Sequence, residues 1–192
     1  MKIGIDISQI SYEKTGVANY TRNLVQNLLT IDHKNEYILF FASLRKKYQI
    51  STLRLRSGQE FKIKTFKLPQ TLLDILWNRL HICPIEWFVG NVDVFITSDW
   101  LEPPTIRAKK ITIIHDLSTY KYPEETHQKT EFHIGPLTIS PNIVAVQKRK
   151  LNWVKKESNL IICVSEATKK DAMKILGVEE KRLKVIYEGD IC

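Results

Sequence analysis

Seven short segments of strand length recur along this 192-residue chain, and segments with helical signals lie between most of them. Alternation of strands and helices predicts a parallel sheet, because parallel neighbours must be joined by a long crossover that is usually a helix. We therefore predict an α/β fold with a doubly wound parallel sheet. The predicted strands span residues 2–7, 36–42, 61–66, 93–97, 111–114, 160–164 and 183–187.

The opening strand, loop and helix are the best-defined unit of the sequence. Residues 2–7 place isoleucine at alternate positions, which is typical of a central strand in a buried sheet. A helix is predicted to begin at Val17, and Gly16 stands where the loop meets it. Gly16 allows backbone N–H groups to approach a bound anion, or it only lets the helix pack closely on the strand. The predicted inner face of the helix consists of Val17, Tyr20, Leu24, Val25, Leu28 and Ile31.

Capping signals predict two further helices. Ser140 and Pro141 suit the first two positions of a helix that runs to about Glu157. Ser165 caps a second helix that ends at Gly177, with an inner face formed by Thr168, Ala172, Ile175 and Leu176. Residues 118–141 show no clean periodicity and are predicted to form a long loop.

The stretch 72–88 is rich in large apolar residues and has two interpretations. One helical face would carry Leu72, Leu73, Leu76, Trp77 and Leu80. Together with Trp87, Lys67 and Arg79, this face could lie on a membrane surface. We favour the other interpretation, in which the helix faces the core.

Charge and cysteine content narrow the class of protein. The formal net charge is +8, which favours an acidic partner such as nucleotide phosphate, nucleic acid or an anionic membrane. The three cysteines, Cys83, Cys163 and Cys192, have no metal-ligand or CxxC spacing, and we expect Cys83 and Cys163 to be buried thiols in a reducing cytosol. The N-terminus carries no signal-peptide pattern.

Polar residues follow several predicted strands, and the carboxyl ends of parallel strands meet at one edge where ligands bind. His115 and Asp116 come directly after strand 111–114, and Asp99 comes shortly after strand 93–97. His115 can donate to a hydroxyl or phosphate, or it can cap a carbonyl at the sheet rim. The two aspartates can bind hydroxyls or form turns. His81, His127 and His133 lack the spacing of a metal site, so we expect none.

Four stretches together resemble a known family. They read KIGIDIS, TGVANYTRNLVQNL, ITIIHDLSTYKYPE and LIICVSEATKKDAMKILGVEEKRLKVIYEGD, in this order. The combination resembles the N-terminal half of retaining, nucleotide-sugar-dependent glycosyltransferases of family 4, which have the GT-B fold. That resemblance implies two Rossmann-like domains with the active site between them. The N-terminal domain mainly holds the acceptor, and the C-terminal domain holds the nucleotide sugar.

The resemblance also implies roles for individual residues. Gly16 and Val17 match the glycine loop that approaches the donor phosphate and the acceptor. His115 matches the histidine that contacts the transferred sugar near the reacting carbon, and Asp116 would support its loop. The sequence has Ala18-Asn19 where a second glycine and an arginine are common, so the resemblance does not extend to a phosphate or acceptor contact made by that arginine.

The domain prediction follows from the same resemblance. Residues 1–187 would form the acceptor-side domain, and residues 188–192 would begin a hinge to a donor-binding domain. We expect no cofactor, no transfer of sugar by residues 1–192 alone, and a cytoplasmic protein, peripheral at the inner membrane face, that acts on a glycan or a lipid-linked acceptor. The alternative is a non-catalytic module that binds a membrane or a protein through the basic segment 148–156, with nucleic acid an unlikely partner.

Overall fold

A seven-stranded sheet, parallel at every pairing, forms the centre of the computed structural model. The structure describes residues 1–12, 15–46, 61–97, 99–124, 132–134, 137–139 and 142–189. The sheet strands are β1 (Lys2–Asp6), β2 (Glu36–Ala42), β3 (Phe61–Phe66), β4 (Val94–Thr97), β5 (Lys109–Ile114), β8 (Leu160–Cys163) and β9 (Leu183–Val185). The predicted parallel α/β sheet is therefore confirmed, and each predicted strand lies within two residues of its observed bounds.

The strand order is β3-β2-β1-β4-β5-β8-β9. From β1 the chain proceeds outward through β2 to β3, and it then returns to β4 on the other side of β1. The direction of winding therefore reverses between β1 and β4. In open α/β sheets this reversal leaves a crevice at the carboxyl ends of the two strands.

Helices cover both faces of the sheet, as the doubly wound prediction requires. Helix α1 packs with Leu39 and Phe41 of β2 on one face, and the segment 73–89 packs with Ile38 and Phe40 on the other. The helices are α1 (Gly16–Ile31), α2 (Gln70–Leu73), α3 (Glu86–Val89), α4 (Ser118–Lys121), α5 (Ile143–Glu157) and α6 (Glu166–Asp171). None of the helices within the described ranges is both long and apolar enough to cross a lipid bilayer.

The inner face of α1 differs from the predicted one. Ala18, Thr21, Val25 and Leu29 are the buried residues of the helix, whereas Ile31 is 74% exposed. Ile31 is the last residue of the helix. Val17 and Tyr20 are half-buried, and they flank this line on the side that faces the crevice.

The helix predicted around residues 72–80 is short and changes its hydrogen-bonding pattern. Helix α2 continues as a π-helical turn, Asp74–Arg79, so the apolar stripe does not keep its period. Leu73 and Trp77 are in the core as predicted, but Leu72 and Leu80 are exposed. The core-facing prediction therefore holds for part of this segment only.

Two further predictions need correction. The side chain that caps α5 is that of Asn142, whose Oδ1 accepts a hydrogen bond from the Ala145 N–H, while the predicted cap residues Ser140 and Pro141 lie outside the described residues. Residues 118–141 are not one long loop, because they contain α4 and an antiparallel hairpin of β6 (Phe132–Ile134) and β7 (Leu137–Ile139). At α6 the predicted Ser165 cap and the left-handed Gly177 at the end of the following turn are both confirmed.

The predicted burial is confirmed for Cys163, while Cys83 is half-buried. Burial raises the pKa of the Cys163 thiol to about 11, so the thiolate is scarce near neutral pH. Cys192 lies outside the described residues.

A buried ionic cluster joins the start of β5 to the end of α5. Lys110 is 1% exposed, and its Nζ donates to Glu157 Oε2 at 2.6 Å and to the Pro103 carbonyl at 3.0 Å. Glu102, also buried, lies 3.6 Å from the same Nζ. Both ring nitrogens of His81 face acceptors, Glu157 Oε1 at 2.8 Å and the Trp77 carbonyl at 2.7 Å. The cluster fastens α5 to the segment that follows α2.

Gly4 is required by close contact between strands. A Cβ at Gly4 would lie 2.6 Å from Phe95 Cδ2, in a fully buried ring of the neighbouring strand β4. We expect Gly4→Ala to lower the free energy of unfolding by about 1–3 kcal/mol, because the core must shift to admit the methyl group. Urea denaturation followed by circular dichroism measures this. Gly189→Ala, where no atom lies within 4 Å, is the control and should leave the midpoint unchanged.

Glu157→Gln should destabilise the protein by about 1–3 kcal/mol at neutral pH, because it leaves the buried Lys110 without its closest anion. Burial opposes ionisation of Glu157, but the hydrogen bonds from Lys110 and His81 outweigh burial and lower its pKa. The stabilisation that ionised Glu157 contributes is therefore complete at pH values above its unfolded-state pKa of about 4.3. It disappears as the pH falls through the lower folded-state pKa. The free energies of unfolding of wild type and variant should converge at low pH. A difference in unfolding free energy that is equal at all pH values would contradict this account.

Candidate functional site

A pocket lies at the carboxyl ends of β1, β4 and β5, beside the first two turns of α1. It is a shallow cleft that is partly open to solvent. This is the crevice expected where the winding of the sheet reverses. The pocket is lined by Ile5, Asp6, Val17, Tyr20, Thr21, Leu24, Ile96, Thr97, Asp99, Ile113 and His115.

The wall and the floor of the pocket differ in chemistry. Val17, Tyr20 and Leu24 of α1 form a mostly apolar wall. Polar groups stand at the strand ends opposite, where Asp6 and Asp99 bring carboxylates and His115 brings an imidazole. An apolar wall with a few polar groups on one side is the usual construction of a small-molecule site.

Three contacts hold His115 in place. Its Nδ1 lies 3.0 Å from Glu188 Oε1, and its backbone carbonyl accepts a hydrogen bond from Thr168 Oγ1 at 3.1 Å. The ring of Tyr20 meets the imidazole edge to face, with 4.7 Å between ring centroids. The imidazole is 16% exposed, so it is fixed yet reachable from the pocket.

Burial raises the pKa of the Tyr20 phenol, and the nearby Glu188 carboxylate raises it further. Tyr20 therefore stays neutral at physiological pH. Asp6 accepts a hydrogen bond from the Ser8 N–H at 2.9 Å. Lysine and arginine are both absent from the residues that line the pocket within the described part of the chain.

Three of the five predicted site residues, Val17, Asp99 and His115, line the pocket together. Gly16 precedes Val17 and is the first residue of α1, where Thr15 Oγ1 caps the helix by accepting from the Ala18 N–H at 3.2 Å. A Cβ added at Gly16 would meet no atom within 4 Å, so close packing on the strand does not explain this glycine.

Asp116 is placed differently from the other predicted residues. Its side chain is exposed, and its Oδ1 accepts hydrogen bonds from both the N–H and the hydroxyl of Ser118. It thus forms the turn that starts α4, directly after His115. A contact between Asp116 and a substrate stays a prediction.

Sequence reasoning missed two residues that define the site. Tyr20 was assigned to the core face of the helix, although its ring contacts the imidazole of His115. Glu188 was considered only as part of a predicted hinge, which stays a prediction; it follows β9 at the same edge of the sheet, and its Oε1 lies 3.0 Å from Nδ1 of His115. The rule that polar groups after parallel strands converge could have found Glu188.

Part of the charge of the basic segment 148–156 is engaged within the domain, although Lys148, Lys155 and Lys156 are exposed. Arg149 pairs with Asp74 at 3.0 Å, and Lys150 is 1% exposed. The ammonium groups of Lys148 and Lys156 lie over the rings of Tyr120 and Trp153, at 5.4 and 4.7 Å from the ring centroids. Much of the positive charge here therefore serves internal contacts.

In the described residues, no group of three or more histidine, cysteine, aspartate or glutamate side chains is arranged to hold a metal ion.

Comparison with known proteins gives a distant structural likeness. No protein-family model and no curated protein sequence matches the chain. Among solved structures, the chain is similar to Alr3699/HepE of Anabaena, determined in complex with UDP, with 14% sequence identity and a TM-score of 0.49. The match covers 98% of this chain, which spans 44% of that protein.

Asp116→Ala should remove two local hydrogen bonds and lower the free energy of unfolding by about 1 kcal/mol or less. Because the three contacts of His115 come from other residues, the imidazole should keep its environment. Histidine side-chain resonances in an NMR spectrum measure this directly. A large change in the His115 signals would show that the turn also holds the site.

Proposed function

We propose that this chain is the acceptor-binding part of a retaining glycosyltransferase that uses a nucleotide sugar. The observation that carries the proposal is the pocket at the reversal of the sheet, which brings His115, Asp99 and Val17 together. The sequence resemblance supports the same reading, since His115 and Val17 are positions that match the family's motifs.

The chemistry of the pocket suits a sugar. Asp99 presents a carboxylate that accepts hydrogen bonds from hydroxyl groups. The apolar wall of Val17 and Leu24 can pack against the C–H face of a pyranose ring. His115, held by Glu188 and Tyr20, offers a ring nitrogen at a fixed place for a group near the reacting carbon.

The donor would be bound mainly by a second domain. The pocket is partly open to solvent, and no lysine or arginine lines it within the described residues, so it does not itself suit a pyrophosphate. Transfer of a glycosyl group also needs exclusion of water from the reacting carbon, which a single open sheet does not provide. We therefore propose that residues 1–192 bind the acceptor and do not transfer sugar by themselves.

The proposed acceptor is a glycan or a lipid-linked glycan. A peripheral membrane contact is supported by large apolar side chains that remain exposed in one segment of the chain, Leu80, Ile82 and Trp87. The net charge of +8 would favour an anionic surface. The alternative of a non-catalytic module that binds through residues 148–156 has less support, because Arg149 and Lys150 are engaged or buried within the domain.

His115→Ala tests the proposal. The chain is combined with a donor-binding domain, either as a fusion or as a separate polypeptide. The assay then measures the nucleotide released from a panel of nucleotide sugars in the presence of glycan acceptors. The variant should lose roughly 10²–10³-fold in kcat, as when one positioned hydrogen-bonding group is removed from an active site. Residues 1–192 alone should be inactive.

The matched control is His33→Ala. His33 is exposed and lies between α1 and β2, at the opposite edge of the sheet, so its removal should leave turnover unchanged. Full activity of the His115→Ala enzyme would contradict the assigned role. Turnover by residues 1–192 alone would contradict the need for a second domain.

A further inference from the structure

The contact between His115 and Glu188 determines more than the position of the ring. Glu188 Oε1 lies 3.0 Å from Nδ1, and an ionised carboxylate can only accept a hydrogen bond. Nδ1 must therefore carry the proton that joins the two groups. In the neutral imidazole a proton on Nδ1 leaves Nε2 without one.

The rest of the environment keeps the ring in this orientation. Thr168 fixes the backbone of His115 through the carbonyl, and the Tyr20 ring stands edge to face against the imidazole. Glu188 is not among the residues that line the pocket, whereas His115 is. Nε2 is consequently the ring nitrogen that is left for a ligand.

The neighbouring groups favour the same kind of ligand. The acidic residues Asp6 and Asp99 line the pocket, and neither lysine nor arginine does so within the described residues. Carboxylates and an unprotonated Nε2 all accept hydrogen bonds, and the carboxylates also repel anions. Such a set matches groups that donate hydrogen bonds and carry no negative charge.

We propose that Glu188 is a positioning residue that holds His115 as the Nδ1–H tautomer, so that Nε2 accepts a hydrogen bond from a hydroxyl of a neutral sugar. This inference rests on the proposed function for the identity of the ligand, but the tautomer itself does not. By this proposal the pocket binds the uncharged polyhydroxy part of a substrate, and any phosphate group of the substrate binds outside the pocket. The resemblance had placed the approach to phosphate at the neighbouring Gly16 loop.

The test is ¹⁵N NMR of the imidazole groups in the full 192-residue chain at about pH 9, where histidine side chains are ordinarily neutral. The His115 signals are assigned by their loss in His115→Ala. We expect wild-type His115 to show a protonated Nδ1 and an unprotonated Nε2. Glu188→Ala should shift the tautomer ratio toward Nε2–H by roughly tenfold or more, because a hydrogen bond to a charged group is lost.

Glu188→Gln keeps an acceptor oxygen and should retain the Nδ1–H tautomer. Glu179→Ala removes an equal charge from an exposed pair with Lys181 and should change nothing at His115. Wild-type His115 found as Nε2–H, or a ratio unaffected by Glu188→Ala, would overturn the positioning role. A general loss of structure would change the signals of all the histidines, which distinguishes it from a change confined to His115.

Inorganic phosphate in large excess tests the ligand class. The His115 signals of the wild-type chain should not change, whereas a saturable shift would overturn the assignment of the pocket to neutral groups. These outcomes are independent of catalysis. A transferase assay that fails while the tautomer is as expected would remove the proposed function and leave the positioning of His115 by Glu188 intact.

Discussion

Parallel pairing of every strand in the main sheet is the constraint on which the site depends. It places the carboxyl ends of β1, β4 and β5 along one edge, although these strands are far apart in the chain. The winding of the sheet reverses between β1 and β4, and these two strands approach so closely that there is no room for a side chain at Gly4. The pocket follows from the parallel pairing and from the reversal of winding, which together leave a crevice at the carboxyl ends of β1 and β4.

The net charge of the molecule is positive, whereas the ionised side chains at the pocket are negative. The chain carries +8 overall, yet two aspartates and a histidine are among the residues that line the pocket, and within the described residues no lysine or arginine is. Many cations are used inside the domain, as Lys110 is in the cluster with Glu102 and Glu157 and Arg149 is in its pair with Asp74. Net charge therefore says little about the ligand of a particular site.

Contacts on the far side of the sheet support the pocket indirectly. Gln147 of α5 donates to the Asp99 carbonyl at 3.2 Å, so the helix that the ionic cluster fastens also holds the segment after β4. His81 extends that attachment, since its ring stacks on Trp153 of α5 at 3.6 Å between centroids. Asp99 is thus placed by a chain of contacts that begins with a buried lysine.

Local pattern in the sequence was enough to identify the strands, the helix that opens at Gly16, the Ser165 cap and the polar residues at strand ends, because each depends on neighbouring residues alone. It could not show that the segment after α2 forms a π-helical turn, since the period of the apolar residues there is ambiguous. Only the tertiary structure decided which strands are neighbours, and hence that Val17, Asp99 and His115 share one pocket. It also brought Glu188 to His115 across 73 positions of sequence, through a strand order that no local signal encodes.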